Sequence, residues 1–333
     1  PGAAKSWTAS EDGLTWTFTL RDDLKWSDGK ALNAEDFVFS LRRLQDPKTA
    51  ASLSYFLYMI KNAEAVNKGE QPIESLGVHA KGSHTLIIEL EKPYPYLLER
   101  LLYPTGFPVP KHAIEAFGDN WVKPKNWVSN GAFVLSDWSP QEHVQLEAND
   151  YFHEPVSIRS AKYLPVASEQ SGFNRFRTGE LHAIASFPAG EIEGFEKDGA
   201  AELRMSDLLS MIYLVFNTQA GPTKDVRIRQ ALSLAVDQDI ITQKVLRNGS
   251  KSAFSFVPNL VSNYSEANLP HHQLSKSERK DQAIELLKSA GHDNDNPLRL
   301  KLHHAAGAEN KKVNLAIMGM WNQIGVITSL QQS

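Results

Sequence analysis

The stretch from Leu14 to Leu20 alternates strictly, with Leu14, Trp16, Phe18 and Leu20 set against Thr15, Thr17 and Thr19. Successive side chains of a strand point to opposite faces, so this pattern predicts a β-strand with one apolar face and one threonine face. Ser27-Asp28-Gly29 then signals a turn. Asn33 predicts a helix N-cap, with Asp36 three residues on in an acidic first turn. Phe37, Val38, Leu41 and Leu44 follow at helical spacing. Arg42 and Arg43 suit the last turn of that helix, where the macrodipole favours cations. The density of charge around Trp26 is thus absorbed by capping and helix polarity. Trp26 itself is expected to be a packing anchor, and the stretch is scaffold rather than chemistry.

The 333 residues allow two or three domains. Hydrophobic residues at 41% and charged residues at 22% are enough to bury a real core. Net charge is −4 and no Lys/Arg-rich tract occurs. That disfavours nucleic-acid binding, whose affinity rests on clustered phosphate neutralisation. No apolar run approaches the roughly 20 residues of a membrane span. With no cysteine, disulfides, thiolate metal sites and thiol nucleophiles are excluded. The chain opens Pro-Gly-Ala-Ala and closes on an apolar stretch, "VITSLQQS", and both ends are expected to be cuts through a larger protein.

Further along, Leu86, Ile88 and Leu90 predict a second alternating strand, and Pro93 and Pro95 lead into a helix around Leu97–Leu102. "PVPKHAI" (108–114) is expected to be extended and stiff, a domain crossover. "NGAFVLSDWSPQEHVQLEAN" (130–149) predicts a hairpin connected through Ser136–Pro140. A helix closed by Gly179 is expected before a short strand, Leu181 to Ser186. "MIYLVFN" (211–217) has the pattern of a buried strand. Asp225 and Asp237 each open a helical segment, the second reaching about Arg247. Ser275 and Glu278 form a capping box for a helix that ends at Gly291, and "LRLKLH" follows as a strand. Mixed strands and helices without strict alternation predict a multi-domain α/β protein.

A search for reactive constellations yields little. Among eleven histidines, the adjacent pairs His271-His272 and His303-His304 are expected to point apart as on a strand. His112 and Glu115 read as a solvated i, i+3 pair. Neither a His-Glu-x-x-His motif, a Gly-x-Ser-x-Gly elbow nor a Gly-x-x-x-x-Gly-Lys loop is present. Ser83 beside His84 is expected to face the opposite way, as strand neighbours do. Carboxylates are plentiful, so an acid/base hydrolase with a carboxylate pair in a cleft stays open. Tyr55, Tyr58, Trp127, Trp138, Phe187 and Tyr213 could line a ligand cleft, and core packing is the alternative for each.

Taken in order, the chain resembles the peptide-binding subunits of bacterial ABC importers, the oligopeptide-binding proteins of extracellular solute-binding family 5. The resemblance is carried by "WTFTLRDDLKWSDGKALNAEDFVFSLRRLQDPKTA" (16–50), "QPIESLGVHA" (71–80), "PVPKHAIEAFG" (108–118) and "NGAFVLSDW" (130–138). It continues through "YLPVASE" (163–169), "NRFRTGEL" (174–181) and "DVRIRQALSLAVDQDII" (225–241).

The resemblance implies an α/β fold of the periplasmic-binding-protein-like type II class, in its three-lobe peptide-binding variant with mixed sheets. A small β-rich lobe would span 1–110, part of main lobe I 111–209, and the N-terminal part of lobe III 210–333. It implies a periplasmic, monomeric, non-enzymatic protein without cofactor or metal. Such a protein would capture a short peptide in an inter-lobe cleft for an ABC permease in the inner membrane. A ligand sensor that does not transport shares the same fold.

Site residues follow only by this comparison. Tyr213 keeps a binding tyrosine, with Asn217 at the end of its segment. Ser186 and Phe187 fall where a lobe I strand approaches the ligand, and Tyr55 lies near a small-lobe aromatic. Val215 stands where the family can have glutamate. Leu246 occupies a lysine position, with Arg247 adjacent, and Asn310 a histidine position. These neutral replacements favour contacts to uncharged ends, or a related solute such as a murein peptide or an opine-like conjugate.

Overall fold

The computed structural model describes residues 2–186, 188–192, 194, 203–258, 260–265 and 269–332. The chain divides into two compact units, Pro1–Pro165 and Val166–Ser333.

In the first unit, β1 (Ala4–Ala9), β2 (Thr15–Leu20), β3 (Val78–Ala80) and β4 (Thr85–Glu89) form an antiparallel sheet in the order β1-β2-β4-β3. Trp16 lies opposite Ile88 and Phe18 opposite Leu86, so the alternating apolar faces of β2 and β4 coincide. Helix α1 (Ala34–Gln45) covers this face with Val38 and Leu41 buried. Its capping box is complete: the Asn33 side chain accepts a backbone N–H of the first turn, and Asp36 accepts the Asn33 N–H at 2.9 Å. Burial pushes the Asp36 carboxyl up from its ordinary value, against the lowering effect of that same N–H. Trp26 is 1% exposed at the centre of the core with Leu57, Ile60, Leu76 and Ile88.

Short helices α2 (Ala63–Asn67), α3 (Leu97–Leu101) and α4 (Lys111–Phe117) complete this layer. Residues 108–110 are extended, and the Val109 N–H donates to Ser40 Oγ of α1 at 2.8 Å. His112 of α4 turns away from Glu115 and pairs with Asp28 at 2.8 Å, while Lys111 takes Glu115. Ser83 and His84 depart from expectation. They lie in a bend before β4, not on a strand, and Ser83 Oγ meets His84 Nδ1 at 2.7 Å.

A second antiparallel sheet joins β5 (Phe133–Ser139), β6 (His143–Ala148) and β7 (Ser160–Tyr163) in that order. The hairpin connection is Pro140–Glu142 and not Ser136–Pro140. A register shift between Leu135 and Asp137 accommodates Ser136, whose hydroxyl donates to the Gln145 carbonyl, so the strand runs on through polar residues.

The second unit holds α5 (Glu169–Arg177), α6 (Val226–Leu234), α7 (Gln238–Ile240), α8 (Lys276–Ser289) and α9 (Ala308–Asn322). A π-helical turn, Ile241–Leu246, continues α7 and closes on Arg247 in a left-handed conformation. Asp225, Asp237 and Ser275 cap α6, α7 and α8 with their side chains, and Glu278 completes the capping box of Ser275. Strands β8 (Arg299–His304) and β9 (Ile327–Gln332) pair in parallel with α9 as their crossover. Ile228, Leu232, Leu287, Leu298, Trp321 and Val326 form the core.

Two expected strands are absent. Residues 181–186 form no ladder; the Glu180 and Leu181 N–H groups return to the Arg175 carbonyl behind the turn at Gly179. Residues 211–217 are not a buried strand either, since Ile212 is 82% and Val215 81% exposed. Alternation holds only from Tyr213 on, with Leu214 and Phe216 packed on the core and Tyr213 and Val215 outward, while Ile212 is exposed on what would be the Leu214 side. An apolar run on both faces needs neighbours on both faces. Among the described residues no strand pairs with it.

Candidate functional site

In the second unit the candidate site forms where two irregular segments run together. Tyr213 meets Phe256 edge to face at 4.9 Å between centroids, and Asp207 pairs with Lys251 at 2.6 Å. The second segment is fixed from behind. Ser252 Oγ donates to Asp239 Oδ1 at 2.6 Å and lies 3.2 Å from Thr242 Oγ1. Ser255 Oγ is 3.0 Å from the Tyr264 hydroxyl, and the Phe254 carbonyl accepts the Leu269 N–H at 2.8 Å. Tyr213 and Phe256 are both exposed, so the arrangement presents two rings on a held backbone.

Beneath it, His271 and His272 sit in a 3₁₀ turn, Pro270–Gln273, and both stand edge-on to Phe254. They are not divided between strand faces, because a tight turn lets neighbours flank one ring. Burial, with the charge of Arg279, lowers the His271 pKa from its usual value. His303 and His304 do alternate on β8, with His304 inward. Among the described residues no group of three or more His, Asp and Glu could hold a metal ion.

The residues carried over by resemblance part company here. Tyr213 lies in the site, and Arg247 is exposed at the start of the loop that leads to Phe256. Asn217 closes a turn: its Oδ1 accepts the Gln219 and Ala220 N–H groups, and its carbonyl accepts Thr223 Oγ1. Asn310 Nδ2 donates to the Ala306 carbonyl at the start of α9. Ser186 is exposed and outside any strand, and Phe187 lies outside the described residues.

Tyr55 belongs to the first unit. It is 57% exposed and leans on Phe56 at 4.9 Å, and Phe56 stacks on Tyr103 at 4.7 Å. Tyr58 is structural, its hydroxyl donating to Asn67. Trp127 stacks on Trp121. With Phe133, Trp138, Val144 and Leu146, Trp127 lines a shallow apolar groove of about 460 Å³. Sequence reasoning missed Phe256, Phe56 and Tyr103. Only their aromatic character was visible, and nothing in their spacing shows which rings meet.

Residues 1–333 match the bacterial extracellular solute-binding proteins, family 5 middle. The chain is 37% identical over 336 residues to the periplasmic oligopeptide-binding protein OppA of Escherichia coli K12, covering 99% of this chain and 62% of that protein. It is 38% identical over 328 residues to the probable deoxycholate-binding periplasmic protein YgiS of the same organism, covering 97% of this chain and 61% of that protein. The solved structure of the Escherichia coli murein tripeptide binding protein MppA superposes with a TM-score of 0.91 at 36% identity, over 100% of this chain and 66% of that one. The chain thus spans about 62% of the length of its curated oligopeptide-binding relative. It shares the mixed α/β fold of these proteins. The chain belongs to the bacterial extracellular solute-binding proteins of family 5.

Proposed function

We propose that this chain is the ligand-capturing part of an ABC importer's solute-binding protein. It takes short peptides in the periplasm as a monomer and passes them to a permease in the inner membrane. The observation that carries this reading is 37% identity to an oligopeptide-binding protein along 99% of the chain. The site supports it physically. Residues 211–217 offer backbone outside any ladder among the described residues, and Tyr213 within them turns its ring outward. Extended peptides bind such backbone through groups common to every sequence, with aromatic surface for their side chains. Lobe boundaries near 110 and 209 belong to the same proposal.

Binding without turnover is part of it, and every relative named above is itself described as a binding protein. No helix among the described residues is long and apolar enough to cross a membrane.

Thermal unfolding with an excess of mixed di- to pentapeptides tests the reading. A ligand at 100 times its dissociation constant adds about 2.7 kcal/mol, so the midpoint is expected to rise. No rise, for this chain and for a version extended to the relatives' length, sinks the peptide assignment. Mass spectrometry of the same mixture is expected to show intact peptides. Cleavage would favour a carboxylate hydrolase instead.

A further inference from the structure

The segment that brings Phe256 to Tyr213 is held at its base by the turn that carries two histidines. Phe254 and the buried Ser255 precede Phe256, and the Phe254 carbonyl accepts the Leu269 N–H at 2.8 Å. His271 and His272 follow that N–H in the chain and stand edge-on to the Phe254 ring, at 6.4 and 4.7 Å between centroids. The two histidines differ in their surroundings. His272 is exposed and can exchange a proton with solvent. His271 is half-buried, and its Nε2 is closed to solvent with no hydrogen-bond partner among the described residues. The charge of Arg279, a buried residue of α8, acts on it. Arg279 Nη1 donates to the Val236 carbonyl at 3.1 Å, and its Nε is also buried without a partner among the described residues. Asp237, which feels the same guanidinium, pairs with Lys276 at 2.6 Å and accepts the Ile240 N–H at 3.2 Å. Glu278, next to Arg279 in the chain, accepts the Ser275 N–H at 2.8 Å. Lys251, on the Phe256 segment, is paired with Asp207.

An uncharged imidazole can leave one nitrogen as a bare acceptor. An imidazolium carries N–H on both nitrogens, so protonation puts a charged donor where nothing accepts it, within the field of a second buried cation. We propose that His271 is a positioning residue for the Tyr213–Phe256 ring pair: its uncharged ring holds the Phe254 base of the segment, and its protonation loosens that hold. The sign follows from the surroundings. Burial first, then the charges of Arg279 and His272, lower the His271 pKa from 6.5. A histidine depressed by folding stabilises the closed arrangement fully above 6.5, and this contribution is lost as pH falls from there through the folded value. Opening takes up one proton, so it becomes easier by up to about tenfold for each pH unit within that window. The bearing on solute capture rests on the solute-binding function proposed above; the hold on the ring pair does not.

Hydrogen exchange of the Leu269 amide, followed by NMR from about pH 7.5 to about pH 5 and corrected for the intrinsic rate, reads this opening. In the native chain, protection is expected to hold down to about pH 6.5 and then to fall by up to about tenfold per unit. His271→Phe keeps a ring edge against Phe254 and cannot ionise. Its profile is expected to be flat, with the Tyr213–Phe256 nuclear Overhauser contact retained. His272→Phe is expected to keep the native fall, and the His271 ring is expected to titrate below the His272 ring. His271→Ala, which removes the hold altogether, is expected to weaken the ring contact at neutral pH. Near-ultraviolet circular dichroism checks that each variant folds, and His271→Gln, with the same flat profile expected, replaces His271→Phe if that variant does not. A flat native profile, or a fall that survives in the variant lacking the imidazole, overturns the proposal. So does a ring contact that His271→Ala leaves at full strength. These measurements use no ligand, so the two readings fail separately. A His271-dependent profile without any peptide-induced rise in the unfolding midpoint removes the function alone, and the reverse removes the role of His271 alone.

Discussion

The indole Nε1 of Trp321 donates to the carbonyl of Leu232 at 2.9 Å, in a position closed to solvent. Leu232 lies in the last turn of α6, where the Ala235 N–H donates to the Ala231 and Ser233 carbonyls and the Trp321 indole serves the Leu232 carbonyl. Trp321 of α9 therefore finishes α6 from another element while filling the core. Trp321→Phe keeps an aromatic ring but strands that carbonyl. The expected loss is about 1–3 kcal/mol, read as a lowered urea midpoint with an unchanged slope. A midpoint equal to the native one would mean that the carbonyl finds another donor.

The capping box of α1 gives a second expectation. Asn33→Ala removes the side-chain acceptor for the first-turn N–H, and stability is expected to fall by about 1 kcal/mol. Asn33→Ser restores an acceptor and is expected to recover most of it. Equal losses for both variants would show that the cap contributes through backbone shape alone.

Gly77 supplies a third. It sits between Lys61 and Glu89, exchanging backbone hydrogen bonds with both, and an added Cβ would lie 2.9 Å from the Glu89 carbonyl oxygen. Gly77→Ala is therefore expected to cost about 1–3 kcal/mol through overpacking. Lys61→Ala cuts only the exposed Lys61–Glu89 pair and is expected to do much less. Denaturant titration of the two variants side by side checks the order, and a reversed order refutes it.

What could be read in the sequence was local. The caps at Asn33, Asp225 and Ser275, the face of Trp16 and Phe18, and the burial of Trp26 each depend on residues a few positions apart. The errors arise where a distant partner decides. Residues 211–217 carry the apolar run of a buried strand, yet a ladder is a property of two segments. Ser136 reads as turn chemistry until a bulge gives its hydroxyl the Gln145 carbonyl. The site was less legible than the fold for the same reason. Tyr213 and Phe256 in the second unit, and separately Phe56 and Tyr103 in the first, are brought together by chain paths that leave no spacing rule behind. Asn217 shows the converse: a residue that matches a site position spends its side chain on a local turn.

The last expectation concerns acid. Asp225 caps α6 through the Arg227 N–H at 2.8 Å, and its other oxygen meets Arg227 Nη2 at 2.6 Å. Arg227 also reaches the Ser289 carbonyl at the end of α8. The Arg227 side chain first, and its backbone N–H second, lower the Asp225 pKa from 3.8 to about 2. A carboxylate depressed by folding stabilises the native state above its unfolded value, and this contribution is lost as pH falls through the folded value. The cap is therefore complete above about pH 3.8 and is lost between there and about pH 2. Asp225→Asn keeps an acceptor for the helix but cannot ionise. Its thermal midpoint is expected to lie below the native one at neutral pH and to converge on it as pH falls through that window. Carbon-detected NMR of the Asp225 carboxyl should titrate near 2. An inflection near 3.8 would mean that Arg227 and Asp225 do not hold each other in solution, and the link from α6 to α8 would have to rest on the Arg227–Ser289 contact alone.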